Sequence, residues 1–209
     1  MSVPGLREAK KRETRQLISD RATELFLAKG FDHTTIAEIA DAARVAKKTV
    51  TNYFPRKEDL AFDHQEDFVT RLARTVAARA PGESALAALR TAFAEAVARQ
   101  DPVAGFAGPE FSRMIAASPT LSVCLRGLHD QREEHLAAAL AAATGAEPAD
   151  VTPLAAAAVL GGVHRVLFGR IQELTLDGRP NTEIAAVVGT EAERAFTLLE
   201  PSLGTYAVR

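Results

Sequence analysis

Between Ile36 and Tyr53 the segment IAEIADAARVAKKTVTNY gathers Lys47, Lys48, Thr49, Thr51 and Asn52 within six positions, just behind Arg44. Ammonium groups neutralise phosphates, while short hydroxyl and amide side chains can address base edges, so this set suits the surface of a nucleic acid. No acidic residue occurs from Arg44 to Lys57. A second set is apolar with one polar anchor: Phe106, Phe111, Met114, His164 and Phe168. Such a lining fits a pocket for a small, largely apolar effector, and it equally fits plain core. His164 and Arg165 fall in an otherwise apolar helical stretch, so His164 must find a partner, reach solvent or face a cavity.

Catalytic constellations are missing from the sequence. It has no Gly-rich phosphate loop, HExxH, ExxH metal pair, GxSxG or CxxC, and no cofactor or metal is expected. His129 and His135 are six residues apart and fall on different sides of a helix, which argues against a shared metal. Cys124 reads as a small buried apolar side chain. A binding protein, not an enzyme, is the expectation.

Positioning these groups falls to helices. Apolar residues recur at helical spacing almost throughout, and strand-like alternation is hard to find, so the fold class is all-α. Helices are expected at 8–29, from Thr35 to the turn Ala43-Arg44-Val45, onward to Phe54, and at 56–79, 83–99, 103–117, 119–143, 149–175 and 182–200. Thr35 with Glu38 makes a capping box, and Gly30 and Pro55 end their helices. Ile36, Ile39, Ala43, Val45 and Val50 are spaced so that two short helices cross over one small core, the pattern of a helix-turn-helix.

Charge divides the chain. Residues 1–57 hold 12 Lys and Arg against 7 Asp and Glu, whereas 58–209 hold 13 against 20. One module should touch phosphates and the other should not, giving a DNA-binding domain at 1–57 and a ligand-binding and dimerisation domain at 58–209, connected by the helix at 56–79. A lone cysteine, a basic N-terminus without an apolar stretch behind it, and no apolar run beyond Leu154 to Val163 point to a cytoplasmic chain with no membrane span.

The stretch from Thr14 to Leu60, centred on LFLAKGFDHTTIAEIADAARVAKKTVTNYFPRKEDL, resembles the DNA-binding domain of the TetR (tetracycline-repressor-like) transcriptional regulators. Gly30-Phe31, Thr34-Thr35-Ile36, Ile39-Ala40 and Tyr53-Phe54-Pro55 leading into Lys57-Glu58 and Leu60 carry the likeness. The resemblance implies that Lys47, Lys48, Thr49 and Asn52 face the major groove and that Thr35, Tyr53 and Lys57 hold phosphates. Tyr53 can also pack into the core with its hydroxyl at the edge. Three positions depart from the family pattern: Arg44 stands where glycine is usual, Ala46 where serine caps the recognition helix, and Arg56 where a small polar cap is common. Arg44 and Arg56 add positive charge to the face expected near DNA.

Helices 149–175 and 182–200 carry too many apolar residues for one stripe, and Ala158, Gly161, Gly162 and Ala192 would allow close approach. They are expected to pair with their copies in a homodimer, unless they are buried within one subunit. The combined expectation is a dimeric, effector-responsive regulator on a double-stranded, near-palindromic operator, acting as a repressor. A constitutive DNA-organising protein and a helical small-molecule binder or enzyme are the alternatives.

Overall fold

The computed structural model describes residues 4–209, apart from the side chains of Pro4 and Leu6. The described residues form ten α-helices and one 3-10 turn, with no strand. Two compact units divide them: one runs to Gln65 and takes in Arg113–Cys124, the other comprises Glu66–Ser112 and Leu125–Arg209. The first unit thus extends eight residues past the 57/58 division suggested by charge, and recruits a distant segment.

In the first unit, α1 (Pro4–Lys29), α2 (Ile36–Ala42), α3 (Lys47–Tyr53) and α4 (Glu58–Ala61) enclose a core of Ile18, Ala22, Phe26, Phe31, Ile39, Val50, Phe54 and Leu60. α1 starts four residues earlier than the apolar pattern indicates. The helix expected at 56–79 is two helices, α4 and α5 (Gln65–Ala78), separated by a turn at 62–64. That turn contains neither glycine nor proline. It is fixed from a distance, because Ser19 donates a 2.7 Å hydrogen bond to Asp63 while Phe62 is buried. Met114 is buried in the segment of this unit drawn from α7 (Pro109–Ala117).

The core of the second unit includes Leu86, Leu89 and Phe93 of α6 (Ala85–Ala98) and Leu136 and Leu140 of α8 (Pro119–Thr144). Leu160 and Ile171 of α9 (Thr152–Leu176) join them, as do Ile184, Val188 and Phe196 of α10 (Asn181–Leu203). A continuous helix at 103–117 does not form. The 3-10 turn Pro102–Ala104 gives way to Gly105 at φ 126° and Gly108 at φ 88° before α7 begins. A β-carbon on Gly105 would lie 3.2 Å from the Ile171 side chain, so both its dihedral and its contact require glycine. Phe106 is buried in this core, and Phe111 is half-buried on α7.

The small residues of α9 and α10 separate into two roles. A β-carbon on Gly161 would come within 2.4 Å of Glu133 Cγ, so Gly161 serves the packing of α9 against α8 inside the subunit, and Ala192 is core. Ala158 and Gly162 instead share an outward face with Leu154, Val159 and Val166, which are 61%, 46% and 70% exposed. By length and composition α9 could cross a bilayer, a possibility the shorter run at 154–163 conceals, although it contributes eleven buried residues to the helical unit.

Candidate functional site

The helix-turn-helix is built by local chemistry. Thr35 Oγ1 accepts from the Glu38 amide at 3.3 Å, and the Thr35 amide donates to Glu38 Oε2 at 2.8 Å, which satisfies two open donors at the start of α2. The Lys29 ammonium, 2.5 Å from Glu38, and the Thr35 donors hold the Glu38 carboxyl down to about 2. After α2 the chain reverses over three residues. Arg44 takes the left-handed conformation at φ 55°, and the Val45 amide reaches back to the Ala40 carbonyl at 2.9 Å. Ala46 begins α3 without a side-chain cap.

The result is a short helix whose inner face is Val50 and whose outer face is chemically uncommitted. Arg44, Lys47, Lys48 and Asn52 are exposed, Thr49 is half-buried, and none of these five side chains is engaged by a hydrogen bond or ion pair among the described residues. Asparagine and lysine therefore stand free on one short helix beside an arginine at its entry.

Other sequence candidates are already engaged. Lys57 Nζ donates to the carbonyls of Phe31 and Thr34 at 2.9 and 3.1 Å and lies 4.2 Å from the Phe31 ring centroid. It staples the loop between α1 and α2, which leaves one of its three N–H groups for anything else. Thr35 is exposed, with its hydroxyl in the capping box. Arg56 forks onto Asp59, whose other oxygen accepts from the Arg56 amide at 3.0 Å. Asp59 thereby satisfies the Arg56 amide, while α4 itself begins without a side-chain cap.

Tyr53 is half-buried and borders a surface cleft with Arg7, Glu8, Lys10, Lys11 and Thr14 of α1, three basic residues against one acidic. Those basic residues lie within about three turns of Ile18, the first buried apolar residue of α1 among the described residues. Arg15 bonds the Tyr53 carbonyl at 3.0 Å and stacks 4.1 Å from the Phe54 ring.

The second unit contains a cavity of about 40 Å³ bordered by Phe68, Arg71, Phe93, Arg132, His164 and Phe168, together with small residues of α6 and the 3-10 turn. Of the expected ligand contacts, His164 and Phe168 border it, whereas Phe106, Phe111 and Met114 do not. His164 packs edge-on to Phe93 and Phe196, with ring centroids 5.4 and 5.6 Å away. Burial, with Arg132 nearby, lowers its pKa to about 3, and burial beside Arg132 and Arg165 does the same to His129. Arg71 is held by Asp67 and Asp101, the latter at 2.7 Å. No group of three metal-ligating side chains occurs among the described residues.

The family model for bacterial regulatory proteins of the tetR family matches residues 18–63. Over 206 residues the chain is 31% identical to the HTH-type transcriptional regulator TcmR of Streptomyces glaucescens, covering 96% of this chain and 88% of that protein. A TetR-family regulator from Syntrophomonas wolfei superposes with a TM-score of 0.57 at 20% identity, spanning 90% of this chain and 96% of that one. FadR of Bacillus subtilis, solved with stearoyl-CoA, gives 0.52 at 16% identity over 87% and 97% of the two chains. The likeness to TcmR extends far beyond the DNA-binding segment, and the chain belongs to the TetR family of bacterial transcriptional regulators.

Proposed function

We propose that this chain is a homodimeric repressor that leaves a near-palindromic operator when a small effector enters the cavity of its second unit. The observation that carries the reading is the surface of α3: Lys47, Lys48, Thr49 and Asn52, with Arg44 beside them, are unengaged among the described residues. Base-edge contact is assigned to Lys48, Thr49 and Asn52. Phosphate contact is assigned to Arg44, Lys47, Thr35, Tyr53 and the remaining donor of Lys57, joined by Arg7, Lys10 and Lys11 around the Tyr53 cleft.

The exposed face of α9 supports the dimer. Leu154, Ala158, Val159, Gly162 and Val166 make an apolar strip with no cover inside the subunit, and Leu198 of α10 is 79% exposed. Two copies joined there would present two α3 helices to one duplex. The likeness to FadR, which was solved with an acyl-CoA, supports a small-molecule effector at the level of architecture. An effector with higher affinity for a conformation in which the α3 helices are wrongly spaced would empty the operator by population shift.

Selection of bound duplexes from a random pool tests this reading. The selected site is expected to be two-fold symmetric, with half-site centres about 34 to 36 Å apart or a multiple of that. A single unrepeated half-site, or no sequence preference, would sink it.

Arg44 offers a second test. Glycine relieves the left-handed backbone, a gain of about 1 kcal/mol or less once glycine's extra freedom in the unfolded chain is counted. The same change removes a positive charge near the duplex. Arg44→Gly is therefore expected to raise the melting temperature, lower operator affinity and reduce the salt slope by about one. Unchanged affinity and slope at two salt concentrations would show that Arg44 points away from DNA.

A further inference from the structure

The cavity of the second unit is bordered by a buried charge that forms no ion pair among the described residues. Arg132 is 5% exposed, and no carboxylate lies within 4 Å of its guanidinium among the described residues. Its one hydrogen bond there runs from Nη2 to His129 Nδ1 at 2.9 Å, its guanidinium carbon sits 4.5 Å from the Phe68 ring centroid, and Nε has no partner. The adjacent carboxylate, Glu133, pairs with Arg165 at 3.3 Å and acts on Arg132 only from beyond contact distance, too weakly to offset its burial. A buried cation without a counter-ion is costly, and removing that cost requires an anion.

The surrounding groups define what kind of anion. An arginine can only donate, so His129 accepts at Nδ1 and carries its proton on Nε2. Both His129 and His164 are neutral at pH 7, so neither adds or cancels charge. His164 Nε2 is buried without a hydrogen-bond partner and borders the same cavity as Arg132. Arg71, also on this wall, is already balanced by Asp67 and Asp101. What remains is one guanidinium without an ion pair, an unpartnered imidazole nitrogen, and the rings of Phe68, Phe93 and Phe168.

We propose that this cavity binds a small aromatic or apolar organic acid, whose ionised oxygen pairs with Arg132 while His164 provides a second polar contact and the phenyl rings enclose its body. This deepens, and rests on, the assignment of the cavity as the effector site. Charge-assisted pairing with a buried guanidinium discriminates strongly against a neutral ligand of the same shape. The existing void of about 40 Å³ admits little more than a water, so a ligand must displace the ring walls, and a compact probe is the right choice.

The test is calorimetric titration of the full-length chain, without DNA, with benzoate and with its neutral counterpart benzamide. Benzoate is expected to bind saturably and at least tenfold more tightly than benzamide. Arg132→Met is expected to bring that ratio to about one, and Arg132→Lys to retain part of it. Equal affinities, no saturable benzoate binding, or a preference that survives in Arg132→Met would overturn the proposal. The wild-type comparison decides even if a variant folds poorly. Failure to select an operator would sink the regulator reading and leave these ratios untouched, whereas loss of the benzoate preference alone would sink only the anion site.

Discussion

Val166→Arg is expected to turn the proposed dimer into a monomer and to weaken operator binding by about a hundredfold or more. Val166 is 70% exposed at the C-terminal end of the apolar strip on α9, so the isolated subunit tolerates arginine there. In a two-fold interface each change occurs twice, and each arginine puts a charge where an apolar contact was. Breaking such a face costs about 3 to 5 kcal/mol per uncompensated buried charge, which exceeds the contribution of a valine by itself. Once separated, each α3 helix binds its half-site alone and loses the effective-concentration gain of about 10² to 10⁴ that a linked partner provides. Sedimentation equilibrium and operator titration check both halves of the expectation, with circular dichroism to verify that helicity is retained. A variant that remains dimeric and binds normally would move the interface off α9.

What the sequence reveals about this molecule follows the reach of the interactions involved. The Thr35–Glu38 capping box is legible because both partners lie within one helical turn, and the same holds for Ser118, which accepts from the Leu121 amide ahead of Pro119. The tight turn at Ala43-Arg44-Val45 is legible from the short gap between two apolar patterns, whereas the left-handed Arg44 follows only from the glycine that the resembling family usually has there. The turn at 62–64 is not legible. Its cause is Ser19, 44 residues from Asp63, and no local pattern encodes that contact. Lys57 shows the same limit: its lysine is visible in the motif, but its bonds to the Phe31 and Thr34 carbonyls are known only once the loop is folded against it.

The cavity of the second unit is half legible for a different reason. Periodicity marks His164 and Phe168 as inward on α9, and both border the cavity, while Phe106 and Met114 are equally apolar but serve as core elsewhere. Arg132 escapes notice because it is surrounded by the polar run DQREEH, which reads as a solvated helix face. A signal was present nonetheless. Leu121, Leu125, Leu128, Arg132, Leu136 and Leu140 recur at intervals of three and four, so Arg132 occupies a position on the apolar stripe of α8. A single charged residue on an otherwise apolar stripe is a buried charge awaiting a reason.

Acid is expected to destabilise the second unit well before the carboxylates titrate, through two buried histidines. His129 and His164 have pKa values of about 3 in the folded protein, lowered first by burial and then by Arg132, with Arg165 adding to the effect on His129. In the unfolded chain both take up protons near 6.5. Between these values the unfolded state binds more protons, so stability is greatest above pH 6.5 and falls as the pH drops toward 3. Two imidazoles together remove about 4 kcal/mol between pH 6 and 4.5, a large part of the 5 to 15 kcal/mol available to a typical domain. Glu38, held down to about 2 in the first unit, loses its contribution only below its ordinary value of 4.5, so the two sources separate along the pH axis. His164→Phe isolates one imidazole: the ring already packs edge-on between Phe93 and Phe196, and its Nε2 makes no hydrogen bond that phenylalanine would forfeit. Urea unfolding followed from pH 6.5 to 4.5 is expected to show about half the wild-type slope in this variant. A flat wild-type profile, or a slope that His164→Phe leaves unchanged, would mean that these histidines charge freely in the folded protein.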